Sequence, residues 1–158
     1  MFRKMIRHKQ QLTEEACICI LKEECRGVLS VLGDDGYPYG MPLNHYYCEQ
    51  DGKLYFHSGM QGHKIDAIKR HDKASFCVYD KGVRKDGDWA LNIKSVIVFG
   101  RIELIEDRET VYRIARELSR KFTNDENYIN EEIKRAGSRT LMFALVPEHM
   151  TGKYVNEA

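Results

Sequence analysis

The residues best suited to chemistry lie in one stretch, KLYFHSGMQGHKIDAIKR, at positions 53–70. An aromatic-rich strand leads through glycines into an amphipathic helix that begins near Gly62. The first amides of a helix lack partners within it and carry partial positive charge, so they attract anions. With the Ser58 hydroxyl and the Lys64 ammonium beside them, these amides predict a phosphate cradle for a phosphorylated cofactor. A plain connection between strand and helix is the alternative.

The surrounding sequence predicts a small antiparallel barrel with helices at its ends. Turn signals, GDDG at 33–36 and EQDG at 49–52, separate short apolar runs, as in hairpins. Strands are expected over 26–32, 37–48, 53–56, 73–80, 90–105 and 140–146. Helices are expected over 13–24, from 62 to 70, from a cap at Asp107 through an apolar stripe ending at Phe122, and over 124–136. Residues 1–11 read as an irregular lead-in, and 81–89 as a polar loop.

Two prolines lie within the second predicted strand, Pro38 and Pro42. Proline has no backbone N–H to donate to a neighbouring strand. These positions therefore predict a sheet edge, a bulge or a stretch of backbone that is free to meet a ligand.

Composition limits the classes of function. The chain has 158 residues, of which 42% are hydrophobic and 31% charged, which fits a single domain spanning residues 1–158. Its 25 basic residues nearly balance its 24 acidic ones, so no overall field attracts nucleic acid or an anionic membrane. No apolar run is long enough to span a bilayer. We therefore expect a cytoplasmic protein whose partners are small molecules or a second copy of itself.

Metal and nucleotide motifs give no signal. The five cysteines are odd in number and show no CxxC spacing, so we expect reduced thiols and no metal site. A zinc site built from His57, His63 and a cysteine lacks an evident supporting carboxylate. The glycines form neither GxGxxG nor a Walker A loop, and the GxxG at 59–62 follows a strand, unlike that of a KH domain.

Five motifs in order resemble one family. VLSV, GDDGYPYGMPLN, KLYFHSGMQGHK, KASFCV and SVIVFGRIELIED are similar to the FMN-binding split barrels of the pyridoxamine 5'-phosphate oxidase-like superfamily, and most closely to its nitroimidazole-resistance-protein branch. The resemblance covers residues 10–155, and the closing HMTGKYV resembles the last strand of that branch. It implies a mainly β fold, an antiparallel split barrel with Greek-key-like connections and helices.

The resemblance also implies a homodimer with the flavin at its interface, and it assigns the cofactor contacts. The implied FMN-binding residues are Met41, Pro42, Leu43, Asn44, His57, Ser58, His63, Lys64 and Ser95. The first four would present backbone to the isoalloxazine ring, and His63 with Lys64 would clamp the phosphate. His63 replaces an arginine of the oxidases, which would make phosphate affinity sensitive to pH. Ser95 replaces a glutamine that contacts the flavin from the partner subunit.

The implied activity is that of an FMN-dependent reductase, with FAD as another possible flavin. NAD(P)H would supply electrons to a small electron-poor acceptor such as a nitroaromatic, and His57 could donate a proton as the catalytic residue. His45 could line the substrate side. Vitamin B6 oxidation is not expected, because the C-terminal tryptophan and arginine region of those oxidases has no counterpart here. A flavin-binding or storage protein without turnover and a haem-binding barrel are the alternatives.

Overall fold

The computed structural model describes residues 1–156. Its strands are β1 (Arg26–Leu32), β2 (Pro38–Asn44), β3 (Tyr46–Cys48), β4 (Lys53–Gly59), β5 (Lys73–Tyr79), β6 (Val83–Arg84), β7 (Leu91–Ile105) and β8 (Thr140–Asn156). Its α-helices are α1 (Glu14–Glu23), α2 (His63–Arg70), α3 (Arg108–Arg120) and α4 (Glu126–Ala136). The lead-in before α1 is irregular except for a 3₁₀ turn at His8–Gln10 and a bridge from Gln11 to Lys153.

The strands form one antiparallel sheet that curls into an open-sided barrel. Their order across the sheet is β2-β1-β5-β7-β8-β4-β3, with β6 paired to β7. The edge strand β2 comes back beside β4, yet within residues 1–156 no ladder joins these two strands. The antiparallel split barrel predicted from the sequence is confirmed. The edge position of β2 also confirms one of the readings that Pro38 and Pro42 allowed.

Two cores lie on opposite faces of β4. The barrel interior contains the stacked rings of Phe56 and Phe143, with Phe76 edge-on to Phe56 at a centroid distance of 5.0 Å. A smaller core outside the barrel packs α3 against Tyr55 of β4 and its neighbours on β8. Successive side chains of a strand point to opposite faces, so His57 shares the outer face with Tyr55.

Side-chain caps begin three of the helices. Thr13 accepts a hydrogen bond from the amide of Ala16 at 3.3 Å, and Asp107 accepts one from Thr110 at 2.9 Å. Asp125 accepts one from Tyr128 at 3.0 Å and so begins α4. The predicted caps at Thr13 and Asp107 are confirmed. In residues 1–156 no helix is of sufficient length and apolarity to cross a membrane.

The predicted strand over 37–48 is divided at His45, whose side chain is fully buried. Its Nε2 donates to the carbonyl of Leu21 at 2.8 Å, and its ring lies edge-on to Phe76. Its own carbonyl accepts from the Lys121 ammonium at 3.0 Å. The expectation that His45 lines a substrate site is therefore wrong: this histidine ties the end of β2 to α1 and to the chain after α3.

Three boundaries also differ from the sequence prediction. The loop over 81–89 contains β6, which pairs with the start of β7. The last strand does not end at Val146: a register shift opposite Phe99 and Gly100 lets it pass Pro147 and continue to Asn156. Phe122 lies beyond α3 and is half-exposed, so the core stripe of that helix ends at Leu118.

We expect the protein to lose stability as the pH falls from 7 towards 4, partly through His45. Burial and the charge of Lys121 lower the pKa of His45 to about 4, from an ordinary value of 6.5. The unfolded chain therefore binds more protons in this window. The stabilising contribution is complete above the unfolded pKa and declines through the window, by up to about 3 kcal/mol. Urea unfolding at neutral and acidic pH measures the change.

The matched control is His45→Gln, whose amide can still donate to Leu21 but does not titrate. Its free energy of unfolding should depend less on pH than that of the wild type, by up to about 3 kcal/mol. The pKa of His57 is also lowered, but His57 is present in both proteins and its effect cancels. Equal pH dependence in the two proteins would show that His45 is not the titrating group.

Candidate functional site

The gap between β2 and β4 forms the site. A cavity of about 390 Å³ is lined there by Arg26, Pro42, Leu43, Asn44 and His57. Four of these residues were predicted to contact a flavin, and the fold brings them together from two strands that are not paired. The structure therefore confirms that these four predicted residues share one surface, while their contact with a flavin stays a prediction.

The side chains of β2 divide between core and cavity. Met41 is buried in the barrel core and Leu43 packs against that core, so Met41 can meet a ligand only through its backbone. Pro42 is exposed, and the Asn44 Oδ1 accepts a hydrogen bond from the Arg26 Nε at 2.9 Å. The strand thus presents one apolar ring and one amide held by a cation.

Arg26 is a cavity residue that the sequence reasoning missed. The register of the first hairpin pairs Arg26 directly with Asn44. Counting back from the GDDG turn would have placed them opposite each other, so the turn was the available signal. The guanidinium supplies a fixed positive charge at the end of the cavity beside Asn44.

The start of α2 forms the second part of the site. Gly62 precedes the helix with φ 127°, a left-handed conformation that favours glycine. The amides of His63 and Lys64 have no acceptor among residues 1–156, whereas that of Ile65 donates to the Gly62 carbonyl at 2.9 Å. Ser58 is half-buried near the end of β4, four residues before Gly62. Two free amides, a hydroxyl and a cation are the donors that a phosphate needs.

Lys64 is half-buried, and the described part of the chain offers it no hydrogen bond or ion pair. Burial lowers its pKa. An anion beside Lys64 would stabilise its charged form, because the anion replaces part of the hydration that burial removes. The residues of this turn therefore fit a phosphate group.

His63 is engaged by residues of the first hairpin. Its ring stacks on Tyr39 of β2 with centroids 4.2 Å apart, and its Nε2 lies 3.4 Å from the Asp34 carboxylate. Arg70 also pairs with Asp34. The Nδ1 of His63 has no partner within residues 1–156, so it is the nitrogen left for a phosphate. Tyr39 and Asp34 were not predicted, and no spacing in the sequence indicates their contact with His63.

His57 lies at the meeting point of the two strands and makes no hydrogen bond within the described chain. Desolvation by surrounding protein atoms and the charge of Lys64 lower its pKa. At neutral pH the imidazole is therefore mainly neutral, with one nitrogen donating and the other accepting. It can offer a hydrogen bond to a ligand on either side of the gap.

Ser95 is not brought to this cavity within one protomer. It lies on β7 between Tyr79 and Lys153, on the face that also carries Ile97. Its predicted contact with a flavin depends on a second subunit. Within residues 1–156 no three histidine, cysteine or acidic side chains cluster in a way that could hold a metal ion.

Comparison with known proteins identifies the family and the fold. The family model described as pyridoxamine 5'-phosphate oxidase matches residues 13–154. No curated protein matches the chain significantly.

Solved structures with the same fold include a candidate 5-nitroimidazole antibiotic resistance protein from Bacteroides thetaiotaomicron. It is 21% identical with a TM-score of 0.75, and the match covers 92% of this chain and 87% of that one. An FAD-binding protein from Mesorhizobium loti is 24% identical with a TM-score of 0.65, covering 92% and 97%. An FAD and heme binding protein from Mycobacterium smegmatis is 18% identical with a TM-score of 0.73, covering 94% and 74%. The family model extends over nearly the whole chain and confirms the resemblance in the motifs: the chain belongs to the pyridoxamine 5'-phosphate oxidase family.

Proposed function

We propose that this protein is a flavin-dependent oxidoreductase that uses FMN to reduce a small electron-poor acceptor, such as a nitroaromatic, with electrons from NAD(P)H. The observation that carries the proposal is that the start of α2 lies beside the cavity between β2 and β4. The His63 ring stacks on Tyr39 of β2 with centroids 4.2 Å apart, and the charge of Lys64 acts on His57, which lines the cavity. Lys64 has no partner in the described chain, and the cavity and the start of α2 together are the proposed flavin surface. The flavin would supply the electron chemistry, and the protein would bind, orient and shield it.

The phosphate end of the surface supports FMN. The free amides of His63 and Lys64, the Lys64 ammonium and the Ser58 hydroxyl would hold a terminal phosphate. Some structurally similar proteins are named for FAD binding, so FAD is the alternative cofactor. Because the start of α2 is exposed, the adenosine monophosphate part of FAD could extend from the turn into solvent.

The ring end of the surface supports a flat, partly polar ligand. Pro42 gives an apolar contact, Asn44 an amide, and Arg26 a positive charge beside it. A cation near the ring favours electron-rich, anionic forms of a flavin. Backbone groups on the open edge of β2 remain for hydrogen bonds to the ring, since within the described chain no strand pairs with that edge.

His57 is the side chain we propose as catalytic. Its neutral imidazole can donate an N–H hydrogen bond to the acceptor as negative charge develops there, and can pass on a proton taken from water. The neighbouring Lys64 charge disfavours the imidazolium, so neutralising that charge with a phosphate would ease protonation of His57.

A second subunit would complete the site. The outer face of the central strands carries exposed apolar side chains in register, Val28 and Ile97 with Cys77 between them. Tyr79 and Phe99 extend this face, and Ser95 lies within it. Burying such a face removes apolar surface from water. We therefore propose a homodimer through this face, which would bring the partner's Ser95 to the flavin.

Lys64→Ala should weaken FMN binding about 10- to 100-fold, because it removes a charge-assisted contact to phosphate. Riboflavin, which lacks the phosphate, should bind equally to variant and wild type. Fluorescence titration of each flavin measures both affinities. Lys69→Ala, which removes an exposed charge from the same helix, is the matched control and should bind FMN normally. If the wild type binds neither FMN nor FAD, the cofactor assignment is wrong.

His57→Gln should keep bound FMN but lower turnover about 100-fold, because glutamine can donate a hydrogen bond but cannot exchange a proton near neutral pH. Steady-state oxidation of NADH and NADPH with nitrobenzene as acceptor measures this. His71→Gln, an exposed histidine just after α2, should keep wild-type turnover. Unchanged turnover in His57→Gln would remove it from the chemistry. A wild type that binds flavin but shows no turnover would indicate a binding protein.

Ile97→Glu should convert the dimer to a monomer and reduce FMN retention, because a charge would be buried in the apolar face. Sedimentation equilibrium measures the mass. Val83→Glu, which adds the same charge on β6 where the side chain is 68% exposed, should remain dimeric. A monomeric wild type that retains FMN would contradict the proposed interface.

A further inference from the structure

A second cavity lies on the other side of His57. It is a cleft of about 160 Å³ between α3, α4 and the outer face of β4 and β8. Tyr112 and Ala115 of α3 form one wall, and Ile133 and Ala136 of α4 form the other. His57 lines both this cleft and the larger cavity beside β2. A ligand in the cleft would therefore contact the same side chain as a ligand in the gap between the strands.

Most polar side chains that line the cleft already have hydrogen-bond partners within the protein, so the cleft offers a ligand a mainly apolar surface. Ser119 donates to the carbonyl of Ala115 at 2.8 Å, and Thr140 donates to that of Ala136 at 2.9 Å. The Glu132 carboxylate is held by both of its oxygens on Arg135, at 2.8 and 2.7 Å. Their hydrogen-bonding groups are thus used by the helices themselves.

Two polar side chains of the cleft have no hydrogen bond within the described chain, His57 and Tyr112. Both can donate to an acceptor atom on a ligand. The Tyr112 ring is fixed against Gly137, where an added Cβ would come within 2.8 Å of the ring carbon Cε1. The cleft therefore offers an aromatic face held in place and two donors at its rim.

The size of the cleft limits its occupant. An apolar cavity of about 150 Å³ holds one benzene ring. The three fused rings of a flavin are larger than this cleft, whereas the cavity of about 390 Å³ beside β2 has room for part of them. The mainly apolar walls of the cleft disfavour a charged ligand, because a charge placed there would lose its hydration.

Building on the flavin-dependent activity above, we propose that the cleft between α3 and α4 is the binding site of the electron acceptor. It selects one uncharged aromatic ring that carries a hydrogen-bond acceptor such as a nitro group. The ring lies against Tyr112, and its polar substituent lies at His57, on the border with the flavin cavity. An aromatic ring is favoured because it can pack offset or edge to face on the ring of Tyr112.

Direct binding of para-fluoronitrobenzene, followed by fluorine NMR with and without FMN, tests the cleft independently of activity. Ala115→Leu and Ala136→Leu each add bulk to one wall and should weaken binding at least about tenfold, or about 1.4 kcal/mol. Glu131→Leu adds the same side chain to the exposed face of α4, where Glu131 is 72% exposed, and should bind as the wild type does. The bicyclic nitronaphthalene should bind more weakly than the single-ring probe.

A second readout locates the ring. The imidazole resonances of His57 are assigned by their loss in His57→Gln. They should shift when the probe is added to the wild type. Their chemical shifts should not change when the probe is added to Ala115→Leu or Ala136→Leu, the two cleft-filled variants. Thermal melts identify a variant that has lost its fold. If one of the two cleft-filled variants is unfolded, the affinity of the other one for the probe tests the proposal. Equal probe affinity in the folded cleft-filled variants, or a bound probe that leaves His57 unmoved, overturns the cleft assignment. Loss of FMN binding alone would instead contradict the flavin proposal.

Discussion

The site depends on one constraint, that β2 and β4 lie side by side without forming a ladder. Pro42 stands in β2 at the point that faces the gap, and it has no N–H to give to another strand. A continuous ladder here would close the barrel and fill the gap with backbone hydrogen bonds. The open edge instead leaves a cavity lined by side chains of β1, β2 and β4. The buried His45 fixes where that edge ends, because it ties the residue after Asn44 to α1.

The alternation of side chains along β4 gives this strand two functions. Leu54 and Phe56 hold the barrel core, and Tyr55 holds the core beneath α3. His57 continues the outer face just where the packing of α3 ends, so it stays available while its neighbours are buried. A one-residue shift in the pairing of β4 with β8 would point His57 into the barrel. The long β7–β8 ladder, which continues on both sides of its bulge at Glu148, holds β8 in place for that pairing.

Much of this arrangement could be predicted from the sequence, because it rests on local signals. The turns GDDG and EQDG, the caps Thr13 and Asp107, and the glycines before α2 each act within a few residues. The turn and helix start that would form the predicted phosphate cradle could be placed for the same reason, whereas phosphate binding itself stays a prediction. What could not be predicted depends on distant contacts. The contacts of His45 with Leu21 and of His63 with Tyr39 arise only when the sheet curls, and the extension of β8 beyond Pro147 depends on its pairing with β7.

Electrostatics connects the two ends of the site. Lys64 is half-buried and has no partner in the described chain, and its charge also lowers the pKa of His57. An anion at the turn before α2 would relieve both costs at once: it would pair with Lys64 and cancel the field that disfavours a proton on His57. A ligand bearing a phosphate would thus differ from one lacking it by more than affinity. It would also set the protonation of the only side chain that borders both cavities in the described chain. Binding at one end of the gap would in this way prepare the chemistry at the other.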